Sequence, residues 1–176
     1  MEIKYKELNK VLIEPKQAHE SDGGFDVIAT EIIEKDEDFV ICKLGFACEL
    51  PEGHKLTLVP RSSLTGTQWV LQNSPGLGDF NYRGEYQFRF RAIPNGIKEF
   101  GNFITRFIYK LRGLDVPKYY LSYPEFPFKV GDRIGQVYLE TVIPTTWTKV
   151  DELGDTVRGA GGFGSTGNET NVVKQN

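Results

Sequence analysis

An all-β sandwich or barrel is the fold class the sequence predicts, and three observations predict it. Apolar runs are short, and glycine, proline and aromatic residues are frequent, which favours strands and turns over long helices. Turn signals recur between those runs: Asp22-Gly23-Gly24, Pro51-Glu52-Gly53, Ser74-Pro75-Gly76 and Gly131-Asp132. In 86–90, Tyr86, Phe88 and Phe90 alternate with Gln87 and Arg89, a period of two that puts rings on one sheet face and polar groups on the other.

Taken in order, the strands predicted are 11–14, 25–33, 38–42, 55–60, 68–72, 85–92 and 133–143. One segment breaks the pattern. In 97–112, Phe100, Phe103, Ile104, Phe107, Ile108 and Leu111 recur at helical spacing, and Gly113 is placed to close a helix. The same stretch alternates from Phe103 to Leu111, so a strand competes with the short helix that we expect. From about Asp155 the chain is rich in Gly, Ser, Thr and Asn, the composition of a flexible tail. The organisation expected is one β domain over 1–154, with an arm over 155–176.

A chain of 176 residues is long enough to bury a core as one domain. Net charge is −3, so there is no basic excess to grip a nucleic-acid backbone, though a locally positive pocket for a small anion remains open. The start, MEIKYKELNK, lacks the apolar stretch of a signal peptide, and no apolar run is long enough to span a bilayer. A cytoplasmic protein is expected, with no nucleic-acid or membrane partner. Cys42 and Cys48 form no CxxC or Cys/His cluster and read as reduced, partly buried thiols, a disulfide between them being the lesser alternative.

Four segments carry chemistry. Arg61 follows a predicted strand, and its forked donors sit beside the hydroxyls of Ser62 and Ser63, a phosphate grip or an ordinary turn. In 73–85 two turn clusters flank Asp79 and Tyr82. Gly76 and Gly78 let the backbone press close to a planar ligand. Asp79 is there either a general base or a turn aspartate. Segment 131–136 reads as a turn entering a strand. Segment 158–167 frees its backbone N–H groups to wrap phosphate oxygens. It lacks the lysine of a Walker A loop, and its one arginine and one phenylalanine suit a lid.

Together these segments resemble the five ordered motifs of the trimeric dUTPase family: Gly24-Phe25-Asp26-Val27-Ile28-Ala29, PRSSL at 60–64, NSPGLGDFNYRGE at 73–85, GDRIGQ at 131–136 and RGAGGFGSTG at 158–167. The resemblance runs from about residue 22 to 167. It implies a β jelly-roll-like domain that forms a homotrimer with shared active sites, and hydrolysis of dUTP to dUMP and pyrophosphate. That reaction removes dUTP from the nucleotide pool and supplies dUMP for dTMP synthesis. By resemblance Asp79 activates the attacking water. Asn73 and the backbone around Gly76 read uracil. Tyr82 packs on the deoxyribose. Arg61, Ser62 and Ser63 hold phosphates with Gln136, which is expected from another subunit. Arg158, Ser165 and Thr166 clasp the γ-phosphate beside Gly164, and Phe163 covers the base. Mg²⁺ is the expected cofactor, and Asp26 is either its contact through water or the anchor of a turn.

Three departures stand out. Gly78 replaces the family's usual isoleucine, Asn81 a frequent aspartate, and Gly135 an alanine, which reads as a small change. About 25–30 residues are added near 95–122, expected either to pack on the parent domain or trimer interface, or to dock a protein partner or form a second cover over the active site. Two rivals follow. A dCTP deaminase or bifunctional relative uses a glutamate in the hairpin, and Glu85 lies nearby. A regulatory or interaction protein of the same fold would have lost the chemistry.

Overall fold

The computed structural model describes residues 1–11, 13–99, 101, 103–115 and 119–161. They contain twelve strands, one α-helix and one 3₁₀ turn. Two compact units divide the chain, Met1–Ile143 and Pro144–Asn176. The first holds all the regular structure of the described residues. The second, as far as it is described, contains only bends and turns.

Two four-stranded antiparallel sheets build the first unit as a sandwich. One is ordered β2 (Phe25–Ile28), β12 (Arg133–Thr141), β6 (His54–Pro60), β8 (Gly76–Asp79). The other is ordered β3 (Glu31–Asp36), β4 (Phe39–Lys43), β9 (Gln87–Ala92), β7 (Trp69–Leu71). A further pair joins β1 (Lys4–Glu7) to β5 (Phe46–Glu49). The alternation at 86–90 works as the sequence predicts. Tyr86, Phe88 and Phe90 are buried in the core with Val27, Val40, Leu44, Leu58 and Ile134, while Arg89 faces solvent. Each such ring contributes about 1.5–3 kcal/mol by leaving water.

The predicted strand 25–33 is two strands in two sheets. At Ala29 and Thr30 the chain changes sheet. The Ala29 N–H donates to the Asp132 carbonyl, and the Thr30 N–H donates to that of Lys43. The apolar run continues through this corner, so hydropathy alone does not reveal the break. No strand forms among the described residues of 11–14. The β1 strand is exposed throughout and carries no apolar signal. Cys42 and Cys48 are free and buried.

The added segment has structure of its own. Strands β10 (Gly96–Glu99) and β11 (Tyr119–Ser122) pair antiparallel, and α1 (Phe103–Leu111) lies between them in sequence. The helix is the expected one, and Gly113 closes it with φ +66°. The Leu114 N–H reaches back to the Tyr109 carbonyl and the Gly113 N–H to that of Lys110, the paired bonds that a left-handed glycine permits. Residues 97–99, expected within the helix, are strand instead. Ile104 and Leu111 are 65% and 70% exposed, so these two side chains do not pack on the parent domain within one chain. No helix of the described residues is long and apolar enough to cross a membrane.

Candidate active site

The expected site residues described in the first unit fall into two groups, one gathered where Arg61 follows β6 and one lining a cleft along β8, which runs beside β6 from Leu58 to Lys55. The first gathers on Asp26, in β2. Its side chain is only 8% exposed, and its carboxylate accepts from Arg61 Nε at 3.1 Å, Arg133 Nη1 at 2.9 Å and Gln136 Nε2 at 3.1 Å. Two guanidinium groups share one carboxylate, so this end of the sheet keeps a positive excess suited to phosphate. Ser62 and Ser63 follow Arg61 directly, exposed in the 3₁₀ turn Ser62–Gly66.

Arg133 belongs to this group, and sequence reading passed over it. Positions 133 and 136 of a regular strand point to opposite faces. A register shift between Arg133 and Gly135 in the β2–β12 pairing turns both side chains onto Asp26. Gly135 inside a strand is the only sequence signal of such a bulge. Gln136 and Arg61 of the same chain meet on Asp26.

The second group lines a cleft of about 320 Å³ formed by Leu58, Asn73, Gly76, Leu77, Asp79, Tyr82, Glu85, Tyr86 and Gln87. Strand β8 lies at the edge of its sheet, so its outer side carries backbone N–H and C=O groups that no neighbouring strand takes up. Asp79 ends that strand, exposed. The turn beyond is held by Arg83, whose Nη1 donates to the carbonyls of Phe80 at 2.6 Å and Tyr82 at 3.0 Å. The Tyr82 hydroxyl donates to the Glu85 carbonyl at 3.1 Å. Asn73 spends its side chain on β9, donating to the Gln87 carbonyl at 3.1 Å and accepting the Arg89 N–H at 2.9 Å. A Cβ at Gly76 would stand 3.1 Å from the Asn73 carbonyl oxygen and 3.2 Å from Leu58, so the bare backbone keeps this wall thin.

Glu85, the carboxylate that a deaminase reading needs, is committed elsewhere. Its Oε1 accepts the Gly45 N–H at 3.1 Å, and Oε2 lies 3.9 Å from Lys43 Nζ. Tyr86 fills the back of the cleft. Its hydroxyl accepts from the Cys48 thiol at 3.5 Å, and burial pushes both the phenol and the thiol above their ordinary pKa ranges.

The two groups do not meet in one chain. Asp79 pairs with Lys55, and Arg61 follows Pro60, the last residue of β6. The six residue steps from 55 to 61 span about 20 Å. The Arg61 guanidinium also turns onto β2, the far edge of the sheet from β8, about 14 Å across three strand spacings. In the second unit, Arg158 Nε donates to the Gly161 carbonyl at 2.8 Å. Phe163, Gly164, Ser165 and Thr166 lie outside the described residues.

Among the described residues, no cluster of three His, Cys, Asp or Glu side chains could cage a metal ion. A carboxylate offers about four lone-pair positions, and three of those on Asp26 are taken. Direct coordination by Asp26 does not fit, with two guanidiniums already at its oxygens.

No family model matches the sequence. Curated relatives do. The deoxyuridine 5'-triphosphate nucleotidohydrolase of Crocosphaera subtropica is 32% identical over 171 residues, 95% of this chain and 99% of the relative. That of Picosynechococcus is 34% identical over 169 residues, with 95% and 99% covered, and that of Helicobacter pylori strain Shi470 is 31% identical, with 95% and 97% covered. Among solved structures, the Staphylococcus bacteriophage 80alpha dUTPase with dUPNHPP superposes with a TM-score of 0.70 at 21% identity, over 94% of this chain and 98% of that one. A phage phi11 dUTPase mutant described with a structural Mg(II) ion superposes with a TM-score of 0.64 at 19% identity, over 88% and 100%. At these identities the two structures speak for the fold.

Proposed function

The chain belongs to the dUTPase family, and from that premise we propose that it hydrolyses dUTP to dUMP and pyrophosphate, with the nucleoside in the cleft around Asp79. The observation that carries the reading is the cleft itself: an edge strand with free backbone groups, thinned by glycine and ending in an exposed carboxylate beside Tyr82.

In this reading the outer edge of β8 reads the uracil, with the main chain of Asn73. An amino group in place of a carbonyl would leave backbone groups unpaired, which is how a polar slot rejects cytosine. Tyr82, held through its hydroxyl to Glu85, packs on the deoxyribose. Asp79 takes a proton from water as its oxygen attacks the α-phosphorus in line. The new O–P bond forms as the bond from the α-phosphorus to the bridging oxygen breaks, and pyrophosphate departs with the electron pair. The Asp79 proton then passes to solvent.

Arg61, Ser62, Ser63 and Gln136 hold the phosphates. Arg158, Phe163, Gly164, Ser165 and Thr166 close over the nucleotide and exclude water, a role that rests on resemblance. The separation of about 20 Å between Asp79 and Arg61 along β6 supports sites completed by another copy, in a homotrimer. Magnesium bound together with the substrate would offset charge on the departing pyrophosphate. Toward that ion Asp26 has one acceptor position left for a bridging water. The 95–122 addition stays in the proposal as a surface for a protein partner, supported by the exposed Ile104 and Leu111.

Pyrophosphate release from dUTP, dCTP, dTTP and UTP with Mg²⁺ tests the reading. Turnover of dUTP alone is expected, with kcat about 10²–10⁴-fold lower in Asp79→Asn and no ammonia from dCTP. A folded protein that turns over none of the four removes the assignment.

A further inference from the structure

Gly78 and Tyr86 form a matched pair that the family pattern does not contain. A Cβ built on Gly78 would stand 2.5 Å from Tyr86 Cε1 and 2.9 Å from its hydroxyl oxygen. Real side chains do not approach so closely. The space left by the usual isoleucine is therefore filled by the ring of Tyr86, the residue before β9, lying against the Gly78 backbone. The ring is 4% exposed and is fixed on its other sides. Phe46 lies at 5.4 Å between centroids, and the Cys48 thiol meets the hydroxyl. On the cleft side it meets Tyr82, edge-to-face at 5.2 Å and 70°.

Tyr82 has few other constraints. It is exposed at the mouth of the cleft, tied at its tip by one hydrogen bond to the Glu85 carbonyl. Beneath its ring lies Gly84, where any Cβ would collide with it. The ring thus has a bare glycine under one part, a single hydrogen bond at its tip, and Tyr86 as the aromatic wall that sets its tilt. We propose that Tyr86 is a positioning residue for sugar selection: it fixes the pose of Tyr82, and through Tyr82 the exclusion of a ribose 2′-hydroxyl. The inference rests on the dUTPase reading and on Tyr82 as the surface that meets the sugar.

The readout is the ratio of kcat/KM for dUTP to that for UTP, which a residue with a merely structural role would leave unchanged while the melting temperature falls. Tyr86→Leu removes the ring. The ratio is expected to fall about two- to tenfold, the size of one edge-to-face ring pair, mainly through better use of UTP. Tyr86→Phe keeps the ring and loses only the contact with Cys48, so its ratio is expected to match wild type. A Tyr86→Leu protein that folds with an unchanged ratio overturns the proposal, and so does a Tyr86→Phe protein with a relaxed one. Where Tyr86→Leu does not fold, the paired Gly78→Ile, Tyr86→Leu variant refills the volume and carries the same expectation. Wild-type turnover of dUTP separates the two levels. If the wild type ignores dUTP, the functional reading fails. If it cleaves dUTP and the variants keep its ratio, only this inference fails.

Discussion

Replacing Asp26 tests how the phosphate end of the site is held. The carboxylate is almost wholly enclosed and is the one acceptor shared by Arg61, Arg133 and Gln136. Asp26→Ala leaves two guanidiniums side by side without a counter-charge. Removing one partner of a buried ion pair costs about 3–5 kcal/mol. Here the arginines are 28% and 54% exposed, so water recovers part of that, and about 3 kcal/mol is the working figure. For a chain of this size each kcal/mol is worth about 2–4 °C in Tm, so the melt should drop by about 6–12 °C. Function should suffer separately. With Arg61 and Gln136 no longer aimed, KM for dUTP should rise about tenfold or more, with a smaller change in kcat, because Asp79 lies at the other end of β6. Asp26→Asn, which keeps the shape and one acceptor oxygen but sets an amide N–H₂ against a guanidinium, should fall between. Thermal melts by circular dichroism and initial rates across a dUTP series read both effects. A Tm within 2 °C of wild type together with kcat/KM within twofold would refute the reasoning.

Three further outcomes are expected. Gly135→Ala should cost about 1–3 kcal/mol in urea unfolding, because its Cβ would enter the Phe88 ring; Phe88→Leu in the same chain should recover part of the loss. Burial pushes the Cys42 thiol up to about 12 from 9.0, so between those values the unfolded chain releases a proton that the folded chain keeps, and stability should decline by up to about 1.4 kcal/mol per pH unit above 9; urea midpoints at pH 8 and 10 should diverge less in Cys42→Val. Mixing Asp79→Asn with Arg61→Ala chains through joint refolding should restore activity that neither has alone, and a mixture as inactive as its parts would contradict sites shared between copies.

What was legible in the sequence was whatever local chemistry decides. The 86–90 alternation gives β9 and its buried rings, and Gly113 gives the end of α1. The turn around Asp79 is visible because glycine and proline flank it. What stayed hidden depends on partners distant in sequence. The apolar run 25–33 continues through the corner at Ala29, so nothing local marks the change of sheet. Strand β1 is polar and exists by pairing with β5. The gathering of Arg61, Arg133 and Gln136 on Asp26 needs three strands and a bulge. Read along the chain, Asp26, Arg61 and Gln136 sit in three separate motifs, and Arg133 stands in the last of them with no role of its own.

The departures from the family pattern take on a different meaning once the strands are paired. Read along the chain, Gly78 and Gly135 are losses, an isoleucine and an alanine gone. Across the sandwich they are two halves of exchanges with one short segment. Tyr86 lies on Gly78, Phe88 lies on Gly135, and these two residues are two apart on the same face. Phe88 reaches from β9, and Tyr86 from the residue just before it, onto the sheet that carries Asp79 and Gln136. Their volume replaces what the glycines gave up, so the hairpin is backed by an aromatic wall rather than by its own side chain. Substitutions at either glycine should therefore be judged together with the ring that faces it. Restoring the family residue alone should damage this protein, because the position it would fill is already occupied.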